Sequence, residues 1–413
     1  MFKLFSNCQI LQPDLSLKKG NILVQDDTIY DICYSDVPQG KPVDSEIDLE
    51  GHIVFPGMIN SHDHLVDTCW HGLGETPAEN WYEWYQTARA SEDYKLLQKL
   101  SVTDLYIAGM YKNVISGATT IVDHFPAEVS KTFSGHPLAT LLEHFYLAHS
   151  VSSYQLQWGK NTSDQFKQAR GILPFIIHAG EGKSREISEE IECLNRMGAL
   201  EKNTVIINGC FLQQQDLQLI ASKGASIVWL PTSSQKIFGQ QPDIAKILDL
   251  GISLAIGTDS SISGSSDILS ELRFAMEFSK KSLNGLLKPS DIIRMVTSGA
   301  AKIFGIDKAA GELAPGKRAD MIIFEADPTL DHCENFLRKK PENFAMVIHR
   351  GTMIVGNDEF RKMSSVDFSQ YSEVKIRGTA KLLLGQPVQL LERIRHKVSK
   401  EVIFPFFDIT SED

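Results

Sequence analysis

Between residues 172 and 281 the chain repeats one rhythm: an apolar run, a polar loop, then a stretch with helical periodicity. The runs at 172–178, 204–207, 225–230 and 252–257 are followed by amphipathic segments at 187–197, 214–222, 243–250 and 267–281. Apolar strands alternating with helices at this spacing predict parallel strands covered by helices, in a barrel or a doubly wound sheet. No Gly-x-Gly-x-x-Gly turn follows any of these strands, so a (β/α) barrel is the better expectation. Residues 1 to about 55 have a different pattern, with short strands at 8–11, 21–25, 28–33 and 47–49. Gly20, Asp26-Asp27 and Pro38-Gln39-Gly40 stand between them as turns.

The stretch from 75 to 170 is less periodic. It suggests a helix over 92–108 and a strand at 119–124, preceded by the Gly117-Ala118 turn. The third and fourth barrel strands fall somewhere between 135 and 160. Beyond Ile303-Phe304-Gly305, the turn-rich linker 311–317 leads to strands at 321–324 and 346–348, so the amino-terminal β unit is completed from far along the chain. The tail from 379 to 400 has a mostly helical pattern, interrupted at Pro387.

With 413 residues the chain can bury one barrel and an accessory unit. Lys and Arg number 41 against 52 Asp and Glu, a formal net charge of -11, and no Lys/Arg-rich run is present. That argues against nucleic acid as a partner. Polar Gln9, Gln12 and Asp14 interrupt the first residues, and no apolar run is long enough to cross a bilayer, so neither a leader nor a membrane partner is expected. The six cysteines form no Cys-x-x-Cys pair, which suits reduced thiols in a cytoplasmic protein.

The chemistry concentrates where strands end, which is where a barrel builds its site. His62-Asp63-His64 closes the apolar run 53–61. On an extended strand alternate side chains share a face, so the two imidazoles point one way and Asp63 the other. Such a pair suits zinc, iron or nickel. His178 ends the run 172–178 and Asp259 ends 254–259. Three imidazoles and a carboxylate at strand termini form a four-ligand set with room for water. Glu181 follows His178 by three residues and can turn back over the ion as a proton carrier.

These motifs resemble the amidohydrolase superfamily, in the mononuclear branch that includes guanine and cytosine deaminases and the triazine chlorohydrolases. Residues 56–64 match the first-strand motif, His178 to Glu181 the His-x-x-Glu of the fifth strand, and Gly257-Thr258-Asp259-Ser260 the eighth. Pro231-Thr232-Ser233 resembles the seventh-strand loop, and 311–324 the passage back into the second domain. The resemblance implies an α/β fold, a (β/α)8 TIM-like barrel over 56–318 with a small β-sandwich from 1–55 and 319–365; the remainder, 366–413, is then a helical tail. It implies one divalent metal, zinc with iron as the alternative, held by His62, His64, His178 and Asp259. The implied reaction is hydrolytic deamination of a small nitrogen heterocycle, with Asp259 and Glu181 catalytic. A homodimer would be in keeping with such families.

Two departures qualify this. Relatives carry a histidine at the end of the sixth strand that hydrogen-bonds the attacking water, and here Asn208 stands in its place. An amide can position water or substrate but does not accept a proton as imidazole does. If that histidine acts as a base, the loss is about 10² to 10⁴ in rate. The stretch between His64 and His178 is also shorter than in most relatives, which leaves the substrate loosely constrained. His71, Trp81, Trp84 and His124 are candidates to line the pocket. A silent relative that binds a small ligand or partner, and a cyclic amide hydrolase of the imidazolonepropionase type, both stay open.

Overall fold

The computed structural model describes residues 1–35, 43–151, 161–363 and 366–398. The two chain ends build one ten-stranded sheet. Phe2–Leu11, Leu17–Gln25, Thr28–Cys33, Ser45–Asp48 and His52–Pro56 come from the amino end. Met321–Glu325, Phe344–His349, Thr352–Gly356, Tyr371–Ile376 and Thr379–Leu384 come from the carboxyl end. The seam is the antiparallel pairing of His52–Pro56 with Met321–Glu325, in which Phe55 faces Ile322 and Val54 faces Ile323. One side of the sheet buries its own core around Phe5, Ile22, Met321 and Met346.

Here the carboxyl-terminal expectation needs correction. The chain does not turn helical after 365, since Tyr371–Ile376 and Thr379–Leu384 pair as a hairpin and join the sheet through Thr352–Gly356. Val374 and Ile376 are buried at alternate positions, a strand period that the surrounding polar residues conceal. Pro387 begins a helix, Pro387–Val398, instead of interrupting one, because a proline at the first helical position lacks only an N–H that would have no partner anyway. Residues 399–413 of the expected tail lie outside the described residues, as does the Pro38-Gln39-Gly40 turn.

Gly57 links the sheet to the barrel. A Cβ at Gly57 would lie 2.2 Å from the Thr119 Oγ1, so only glycine allows the backbone this close. Eight parallel strands follow: β1 Met58–Asp63, β2 Ala118–Asp123, β3 Thr140–Leu141, β4 Tyr146–Ala148, β5 Phe175–Ala179, β6 Thr204–Asn208, β7 Ser226–Trp229 and β8 Leu254–Ile256. They form ladders β1-β2-β3 and β4-β5-β6-β7-β8. The last strand returns to the first: Thr258 and Asp259 both donate N–H to the His62 carbonyl at 3.0 Å, and His64 donates to that of Asp259 at 3.0 Å. Only residues 142–145 connect β3 to β4, without a helix. These two strands are too short to leave a hydrophobic period; residues 152–160 of the window expected to hold them lie outside the described part.

The expected helix at 92–108 divides into Glu92–Leu97 and Val102–Ile115. Ser101 starts the second helix by accepting the Asp104 N–H, as a helix cap does. Among the described residues no helix is long and apolar enough to cross a membrane.

Candidate active site at the carboxyl ends of the barrel strands

β1 delivers His62 and His64 to one point, with Nε2 atoms 3.2 Å apart. The Asp259 Oδ1 lies 3.6 Å from the first and 3.5 Å from the second. Metal–nitrogen bonds of roughly 2.0–2.1 Å in a tetrahedron separate their donors by about 3.4 Å, so this triangle fits one face of a metal's coordination shell. The other Asp259 oxygen, Oδ2, accepts from Ser233 and Ser263, each at 2.6 Å, which fixes the carboxylate with Oδ1 free for the ion.

Electrostatics prepare these groups as ligands. Burial lowers the pKa of His62 to about 3, so the imidazole is neutral at ordinary pH. Burial and the neighbouring imidazoles also hold His124 and His149 well below the usual histidine value. Burial would raise Asp259, but the facing His62 and His64 imidazoles and the Ser233 hydroxyl outweigh that and keep it ionised. Metal binding needs this combination of neutral imidazoles and an ionised carboxylate.

His178 projects from β5. Burial lowers its pKa, but the Glu181 carboxylate outweighs burial and raises it; Nδ1 is 3.1 Å from Glu181 Oε2. That contact leaves Nε2, which is buried without a hydrogen-bond partner, to face inward. Nδ1 of His62 is buried and unpaired in the same way. The buried Nε2 of His178, left over in this manner, is what a cation beside the Nε2 of His62 would satisfy.

Asn208 meets the carboxylate of Glu181. Its Nδ2 donates to Glu181 Oε1 at 2.8 Å, and its Oδ1 accepts from the Ser234 hydroxyl at 2.8 Å. It holds the carboxylate and does not line the cavity. Asn208 and Asp259 both sit at positive φ, 74° and 61°, conformations that Asn and Asp tolerate better than most residues.

The cavity above these groups is walled by Trp81, Trp84, Tyr85, Phe125, Phe238 and Ile262, with His64, His178, Glu181 and Asp259 along its floor. Trp81 and Trp84, candidates from the sequence, both stand on its wall. His71 is not part of that lining; its ring meets the Ser261 backbone in the loop after β8, near Lys236. His124 is buried beneath the cavity, its ring centroid 5.1 Å from that of His62 and 4.7 Å from that of His178.

Sequence reasoning missed His149, which follows β4, lines the cavity and stacks on His178 at 5.4 Å. Placing the fourth strand would have found it. It also missed what lies behind β1. Asp63 binds the Lys112 ammonium at 2.8 Å and the Asn113 amide at 2.7 Å, and Lys112 is 1 % exposed. Asn60 adds a bond to Asp63 and another, at 2.8 Å, to Thr258, tying β1 to β8 behind the ligands.

Residues 169–354 match the family described as the amidohydrolase family. The chain is 26 % identical over 369 residues to the 5-methylthioadenosine/S-adenosylhomocysteine deaminase of Pyrococcus furiosus, covering 75 % of this chain and 83 % of that one. Among solved structures it resembles a zinc-bound adenosine deaminase from Xanthomonas campestris, with a TM-score of 0.72 at 15 % identity over 96 % and 98 % of the two chains. It also resembles the atrazine chlorohydrolase of Arthrobacter aurescens complexed with zinc, with a TM-score of 0.73 at 15 % identity over 96 % and 100 %.

Proposed function

Because the chain carries an amidohydrolase family domain, we propose that it is a metal-dependent hydrolase that deaminates an adenine-type base carrying an apolar substituent. The observation that carries this reading is the triangle of His62, His64 and Asp259 donor atoms at 3.2–3.6 Å beneath an aromatic cavity. His62, His64, His178 and Asp259 would hold the ion, with zinc favoured by the zinc-bound structural neighbours. Such an ion, when bound, lowers the pKa of water toward roughly 7 and supplies a nucleophile at neutral pH.

The rest falls to side chains. Asp259, fixed by Ser233 and Ser263, orients the attacking water toward the ring carbon that bears the amine and accepts its proton. Glu181, held at both oxygens by Asn208 and His178, passes a proton to the departing nitrogen. A C–O bond forms, the C–N bond breaks, and ammonia leaves. Trp81, Trp84 and Phe238 offer flat apolar surface to the ring and its substituent and exclude bulk water. The relative's named substrates, methylthioadenosine and S-adenosylhomocysteine, both join adenine to a 5′-thioether, which is apolar in the first and ends in a charged amino acid in the second.

The test is ammonia release by zinc-loaded protein from a panel of adenosine, 5′-deoxyadenosine, methylthioadenosine, S-adenosylhomocysteine, guanine, cytosine and a triazine. Turnover is expected on the adenine nucleosides, fastest where the 5′ substituent is apolar. Zinc-loaded protein that releases ammonia from none of them would sink the reading.

A further inference from the structure

We propose that His124 is a fifth protein ligand of the same cation, making the centre one of four histidines and one carboxylate. This rests on the metal-dependent reading above and extends it to a residue on β2.

The donors at the site divide into two triads that share His62. His62, His64 and Asp259 form one, and His62, His124 and His178 form the other; within each, all donor atoms lie within 4.8 Å of one another. An ion that takes His178 together with His62 therefore comes within reach of His124. The ring spacings agree. The His124 centroid is 5.1 Å from His62, 5.6 Å from His64 and 4.7 Å from His178, whereas His64 and His178 are 6.3 Å apart. His124 is closer to every other ring of the set than two of the expected ligands are to each other.

The backbone explains why. β1 and β2 end on the same Asp-His pair: Asp63 faces Asp123 in the parallel register, and the His124 N–H donates to the Asp63 carbonyl at 2.8 Å. Both aspartates turn away from the barrel axis. Asp123 accepts from the Tyr106 hydroxyl at 2.6 Å, the Ser130 hydroxyl at 2.9 Å and the Leu65 N–H at 3.1 Å, much as Asp63 is bound by Lys112 and Asn113. With the aspartate fixed outward, alternation sends the following histidine inward, so His124 repeats on β2 the placement of His64 on β1. It is 1 % exposed, and its surroundings on the inner side are imidazoles.

Five protein donors leave one position for water on a six-coordinate ion. That arrangement suits a six-coordinate iron, cobalt or nickel ion better than a tetrahedral one.

The experiment measures metal binding rather than turnover. Cobalt(II) and zinc are titrated into apo protein of the wild type, His124→Ala and His124→Gln, with thermal midpoints of the apo forms showing that each variant folds. Wild type is expected to bind one ion per chain, with the weak visible cobalt bands of five- or six-fold coordination. Both variants should bind at least about 100-fold more weakly and show altered bands, given that even outer partners of a ligand are worth roughly 10–100-fold. X-ray absorption on the wild-type zinc protein should count four imidazoles, a measurement independent of any variant. Three imidazoles, or unchanged affinity and cobalt spectra in both variants, overturns the proposal. Two ions per chain in wild type and one in the variants also overturns it, assigning His124 to a separate site. Wild type that binds no ion at all removes the underlying functional reading as well.

Discussion

The two faces of the β1 terminus are equally buried and chemically opposite. On the barrel side, His62 and His178 keep ring nitrogens with no hydrogen-bond partner. On the outer side, Asp63 has a cation and two amides within 3.2 Å and lacks nothing. A buried polar group without a partner is costly, and a protein retains several in one place when something else satisfies them. The outer face makes the inner one tolerable, since its bonds hold β1 and β8 together behind the ligands.

The largest test of this contrast is Lys112→Met. It leaves the Asp63 carboxylate buried without its cation, and urea unfolding should show a loss of about 3–5 kcal/mol. The double variant with Asp63→Asn should recover much of it, because a neutral amide needs no cation. A loss below about 1 kcal/mol would mean that the Lys112 to Asp63 pair does not hold the outer face together.

Glu271 is the intermediate case, a buried carboxylate held by hydrogen bonds from Thr232 and Ser265. Thr232 and Ser265 give it N–H groups at 2.8 and 3.1 Å, and burial raises its pKa from 4.5 to about 7. A folded-state pKa above the unfolded one stabilises fully below about pH 4.5, and the contribution is lost as pH rises through about 7. That swing is on the order of 3 kcal/mol. Glu271→Gln should flatten the stability profile between those limits, and a profile identical to wild type would show that Glu271 ionises as freely folded as unfolded.

The smallest effect belongs to Asn208→Ala. Releasing one oxygen of Glu181 should lower kcat by about tenfold, the worth of one hydrogen bond to a charged group, while metal content stays at wild-type level. Loss of metal in this variant would put Asn208 on the ligand side of the contrast.

The second half of the barrel was legible in the sequence because β5 to β7 are apolar runs of four or five residues, each followed by helices. His62, His64, His178 and Asp259 could be read there because a strand end fixes where a side chain points. β3 and β4, two and three residues long, leave no period, and His149 was lost with them. The Lys112 to Asp63 pair joins positions distant in sequence, and no local pattern announces it. Asn208 was conspicuous as an absent histidine, but its attachment to Glu181 exists only once β5 and β6 lie side by side.

The seam between His52–Pro56 and Met321–Glu325 also dictates an order of events during synthesis. The amino-terminal strands leave the ribosome first, yet His52–Pro56 keeps an unpaired edge until Met321–Glu325 emerges. Most of the chain is made in that interval, with an apolar edge open to any other strand. Because Pro56 leads through Gly57 straight into β1, the histidines are anchored to a completed sheet only after Met321–Glu325 has been made. Chains truncated before residue 321 should therefore aggregate instead of assembling a metal-binding barrel.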